Sequence, residues 1–138
     1  MKNIVLDLAK GEVWLEVRVT PATTDKDPRP CHWVFNMDLT ATRNVTKDIP
    51  PIQDGPAQRP LAAPGALIGS TAAWNLLINN LDKNPHTYDA VVRIYQVAPG
   101  GQETDVYVFK KKVEFDPSTT AEAKPNPRNL SEGLKFVL

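Results

Sequence analysis

Apolar residues along this chain recur mostly at every second position, the period of a pleated strand with one buried face. Ile4, Leu6 and Leu8 share one side of an opening segment, with Val5 and Asp7 on the other. Lys10-Gly11 then reads as a tight reversal, since glycine reaches positive φ without steric cost. Beyond it Val13, Leu15, Val17 and Val19 alternate with Glu12, Trp14, Glu16 and Arg18. A polar, proline-marked loop runs from Pro21 to Pro30. A third strand follows, with Trp33, Phe35, Met37 and Leu39 toward a core and His32, Asn36 and Asp38 opposite.

Periodicity is lost from Arg43 to Gly69, where Pro50, Pro51, Pro56, Pro60 and Pro64 come in quick succession. So long a structureless loop is uncommon in a compact domain. Either a short edge strand lies near Val45 to Ile49 or the loop is functional. Residues 70–82 fit two templates. A strand would alternate Ala72, Trp74, Leu76 and Ile78 with Ala73, Asn75, Leu77 and Asn79. A helix capped by Ser70 would place Trp74, Leu77, Ile78 and Leu81 on one stripe. The β character of the flanking segments favours the strand.

Tyr88 to Val97 is rich in β-branched and aromatic residues, and Ala98-Pro99-Gly100-Gly101 is a hairpin turn. The return strand spans Glu103 to Phe115, with Val106 and Val108 on one face and Tyr107, Phe109, Lys111, Val113 and Phe115 on the other. Asp116 to Gly133 reads as a second proline-bearing connection, and Leu134, Phe136 and Leu138 alternate in a final strand. The pattern predicts an all-β, immunoglobulin-like sandwich of about seven strands with two long Pro-rich loops, one domain over residues 1–138.

One segment carries a resemblance. Leu81 ends a strand, a short turn holds Pro85, and Tyr88 opens the next strand. This resembles the tyrosine corner of immunoglobulin-like and fibronectin type III domains, where the phenol bonds upstream backbone and the ring joins the core. The resemblance implies a fold and no particular activity.

Charge adds little to this picture. The chain has 138 residues, with 16 lysines and arginines against 16 aspartates and glutamates. A nucleic-acid binder normally shows a basic excess, so none is expected as a partner. The run Lys110-Lys111-Lys112 lies in a strand pattern and reads as edge protection against sheet-to-sheet pairing, with a phosphate patch as the competing reading. Cys31 is the only cysteine, so no intramolecular disulfide forms. With no signal peptide and no membrane span in the pattern, a cytoplasmic setting is expected.

The candidate chemistry is sparse. Cys31-His32 are strand neighbours pointing to opposite faces, and no metal-ligand spacing occurs, so no metal and no cofactor is expected. The carboxylates are scattered, and neither a nucleophile elbow nor a phosphate-cradling glycine loop is present. The chain is therefore expected not to be an enzyme. Trp14 stands on the polar face of its strand, either as a contact anchor or covered by the 43–69 loop or a neighbouring strand. The expected function is a non-catalytic interaction or assembly module that binds a protein partner or associates with itself, with Trp14, Arg59, Pro60 and Leu61 as its binding residues. The alternative is a lectin-like module in which Trp14 and nearby asparagines bind carbohydrate.

Overall fold

The computed structural model describes residues 1–23, 31–40, 46–53, 57–80, 85–115 and 128–138. Among these it is almost wholly β. In chain order the elements are β1 (Lys2–Val5), β2 (Glu12–Pro21), β3 (His32–Thr40), β4 (Thr46–Gln53), β5 (Ala57–Ala62), a one-turn helix α1 (Pro64–Leu67), β6 (Thr71–Asn79), β7 (His86–Val97), β8 (Glu103–Phe115) and β9 (Arg128–Val137). They form a five-stranded sheet in the order β1-β9-β6-β3-β4 and a four-stranded sheet in the order β5-β2-β7-β8. All the pairings are antiparallel except that of β1 with β9, which is parallel.

The alternation explains the packing. Trp33, Phe35, Met37 and Leu39 of β3 and Ala72, Trp74, Leu76 and Ile78 of β6 turn inward from the first sheet. Val13, Leu15 and Val17 of β2 and Ala90, Val92 and Ile94 of β7 meet them from the second. A side chain of this size buried from water contributes about 1.5–3 kcal/mol, so this shared interior is the main source of cohesion.

Two polar devices sit within it. Trp74 Nε1 donates to the Tyr107 hydroxyl at 3.1 Å, and that hydroxyl donates to Glu132 Oε1 at 2.6 Å. The chain of bonds ties β6 and β9 of one sheet to β8 of the other. Burial, and then the Glu132 hydrogen bond, raise the Tyr107 pKa well above its ordinary value. At the other device, the buried Gln96 side chain accepts from Asp7 N at 3.0 Å and donates to the carbonyls of Asp7 (2.8 Å) and Gly11 (3.0 Å). These bonds satisfy the backbone where the chain passes from β1 in one sheet to β2 in the other.

Several expectations need correction. The strands among the described residues number nine, not about seven, because the 43–69 segment holds β4, β5 and α1 where a long Pro-rich loop was expected. β4 covers the suspected edge-strand position. Within the 70–82 segment, Thr71–Asn79 take the strand alternative as β6, and residues 81 and 82 lie outside the described residues. β9 begins at Arg128, six residues before the expected Leu134, so the tail of the second Pro-rich connection is also strand. Lys10-Gly11 closes no hairpin, since β1 and β2 belong to different sheets. Leu8 lies past the end of β1 and is 58% exposed.

Candidate functional site

Strand edges are the first places to look for a partner, because each offers an unpaired row of backbone groups. The edges here are β1 and β4 in the first sheet, β5 and β8 in the second. Three of them carry a cation at an inward register position. Lys2 pairs with the buried Leu134, Arg59 with the buried Leu15, and Lys111 with the buried Ala90. All three cations are nonetheless exposed. Lys2 Nζ lies 5.4 Å from the Tyr107 ring centre, and Arg59 Nη1 donates to the Gln58 carbonyl at 3.0 Å. The fourth edge, β4, contains Pro50 and Pro51, which have no N–H to offer a neighbouring strand. Adding a strand to any edge would therefore desolvate a charge or meet a missing donor. The lysine run, expected to protect an edge, lies on the edge strand β8 with Lys111 at an inward register position.

With its edges guarded, the chain offers its two outer faces. On the second sheet Trp14 lies between Pro60 of β5 and Tyr95 of β7. The neighbouring strands leave the indole half-buried. Arg93 stacks on Tyr95 at 3.9 Å, donates through Nη1 to Glu16 (3.4 Å) and through Nη2 to Glu103 (2.6 Å), and bonds Asp105 through Nε. Burial acts against the guanidinium charge, but the bonds to Glu103, Asp105 and Glu16 outweigh it and hold its pKa above the ordinary value. Burial, then the Glu103 and Glu16 carboxylates, raise the Tyr95 phenol. Of the four residues singled out in the sequence, Trp14, Arg59 and Pro60 gather on β2 and β5. Leu61 is 4% exposed and packs in the core, so it anchors β5 and presents no contact.

The outer face of the first sheet has a different chemistry. Cross-strand rows place Val34, Leu77 and Asn129 side by side, then Asn36, Asn75 and Ser131, then Asp38, Ala73 and Gly133. His32 and Asn79 flank one end, Thr40, Thr71 and Lys135 the other. Among the described residues of β3, β6 and β9, Asp38 and Lys135 are the charged groups on this face, amides and hydroxyls fill most of the rest, and Leu77, on the middle strand one row from the His32 end, is 38% exposed. The asparagines of β3, β6 and β9 thus stand on the opposite side of the molecule from Trp14. The charge-poor face had no strong sequence signal, since polar residues on the outward half of a strand look like any solvated surface.

Among the described residues no group of three or more histidine, cysteine, aspartate or glutamate side chains lies close enough to hold a metal ion. Cys31 is half-buried and His32 exposed, on opposite faces of the chain. No described helix is long and apolar enough to cross a membrane. No family model, curated protein or solved structure matches the chain, and its function has to be read from its own geometry.

Proposed function

We propose that this chain is a non-catalytic assembly module that pairs with a second copy of itself through the outer face of the β1-β9-β6-β3-β4 sheet. The observation that carries the reading is the depletion of charge around Val34 and Leu77. Charge depletion beside an apolar pair is what distinguishes the middle of a protein interface from ordinary surface. A second copy fits because amides and hydroxyls both donate and accept, so such a face is complementary to itself under a two-fold axis. An axis running above β6 sets Leu77 against its own counterpart and brings the Asp38 side of one copy over the Lys135 side of the other. Size also suffices. All five strands are needed, with register setting Asp48 of β4 beside Asp38 at the rim; about 4.8 Å apart and about eight residues long at about 3.4 Å each, they give roughly 650 Å² per copy. A pair would bury about 1,300 Å², above the ~1,000 Å² expected of a specific interface.

Sedimentation equilibrium tests this reading. The wild-type chain should show a concentration-dependent dimer, and Leu77→Arg should remain monomeric with unchanged secondary structure. A wild-type monomer at high concentration overturns it.

The sandwich is also proposed to be of the immunoglobulin-like type. In support, Tyr88 follows the β6–β7 connection, is 1% exposed and meets Phe115 edge-on at 5.9 Å; Leu81, the other half of the corner, lies outside the described residues. The carbohydrate reading keeps Trp14 with Gln58 and Glu16 beside it, where Gln58 Nε2 donates to Glu16 Oε2 at 3.2 Å. Glycan binding by the wild type that Trp14→Ala abolishes would favour it over assembly.

A further inference from the structure

The outer face of the second sheet carries a feature that edge protection does not explain. Lys111 guards the β8 edge, but Lys110 and Lys112 point the other way, onto the outer face. Arg18 of β2 stands on the same face, paired with Val91 of β7 one residue past the described pairing of β2 with β5. Cross-strand register aligns Arg18 with Val91 and Lys110, and the next row aligns Thr20 with Asp89 and Lys112. These six residues, with Ala90 and Lys111, line a shallow groove of about 450 Å³. Asp89 offsets one of the three outer-face cations.

We propose that this groove binds a small multiply charged phosphate, with Arg18 and Lys110 as its principal contacts across Val91 and Lys112 as the third. Arginine presents a planar fork of donors that matches phosphate oxygens, and lysine adds point charge. The cations stand two strands apart, about 10 Å, and two residues apart along β8, about 7 Å. That footprint suits one or two linked phosphates and is too short to follow a nucleic-acid backbone. The chain is neutral overall, yet Glu16, Glu103 and Asp105 gather around Arg93 farther along the same sheet. Segregating charge in this way leaves a local positive field over the groove, and a concave site concentrates it.

Calorimetric titration of the full chain with inorganic pyrophosphate at low salt tests the proposal. Binding is expected to weaken as salt is added. Arg18→Gln and Lys110→Gln should each weaken it about tenfold, as loss of a charge-assisted hydrogen bond would. Lys112→Gln should weaken it less, because Asp89 shares its row. Lys10→Gln, which removes the same charge from the β1–β2 connection outside the groove, should stay within about twofold of wild type. Equal losses from Lys10→Gln and Lys110→Gln would reduce the effect to general surface charge and overturn the proposal. So would absence of binding, or tighter binding of a single-stranded oligonucleotide that survives Arg18→Gln.

Discussion

Trp74 Nε1 and the Tyr107 hydroxyl meet at 3.1 Å across the interior, one from each sheet, and Glu132 Oε1 accepts a hydrogen bond from that hydroxyl at 2.6 Å. Trp74 is also stacked on Phe35 and edge-on to Phe109. The indole is therefore fixed by packing, and its donor has one partner built to receive it.

Replacing Tyr107 by Phe strands the Trp74 donor in the interior and takes away the Glu132 partner. The expected loss is about 1–3 kcal/mol in urea unfolding. Its pH dependence has a definite sign. The folded chain holds the Tyr107 proton above the ordinary pKa of 10.0, while the unfolded chain releases it near that value. The stabilisation is complete below that pH and is lost as the pH rises past it. The gap between wild type and Tyr107→Phe should narrow above that pH. Tyr95, raised in the same direction, leaves a residual slope in both proteins.

Gly11 and Gly101 both hold positive φ, 92° and 87°, yet they should respond differently to alanine. A Cβ at Gly101 meets open space, whereas at Gly11 it would lie 2.0 Å from the Val97 carbonyl oxygen. Gly101→Ala should cost about 1 kcal/mol, the penalty for a left-handed L-residue. Gly11→Ala should cost at least about 2 kcal/mol more, because the clash is with backbone beside the Gln96 clamp. Thermal unfolding of the two variants in parallel checks the ranking.

Lys111→Val would complete an apolar inward row with Phe109, Val113 and Phe115 on the β8 edge. Aggregation, followed by light scattering under mild heating, should accelerate. Lys110→Val removes the same charge but leaves the inward guard in place, and should aggregate more slowly. Equal rates would show that net charge alone keeps the chain soluble.

The sequence shows the two-residue period plainly wherever one face is buried, as in β2, β3, β6 and β8. It hides the elements in which another constraint interrupts that period. β4 and β5 carry prolines, which read as loop because a central strand would exclude them, but both are edges, where proline is tolerated. The first half of β9 is missed because Glu132 fills an inward position, and its reason for being there, Tyr107, lies on the other sheet. Gln96 is opaque for the same reason, since its partners Asp7 and Gly11 are 89 and 85 residues away in the chain. At the surface, Trp14 stood out as a pattern break and is partly covered. The charge-poor face became visible only once register aligned β3, β6 and β9.

The most direct measurement of face-to-face pairing is a cysteine cross-link. In a Cys31→Ser background, Leu77→Cys places a thiol beside the two-fold axis proposed above β6. Val108→Cys, on the other outer face and equally 38% exposed, serves as the matched control. Mild oxidation should yield a covalent dimer of Leu77→Cys and leave Val108→Cys monomeric. Equal cross-linking of the two, or none at Leu77→Cys, would contradict assembly through this face.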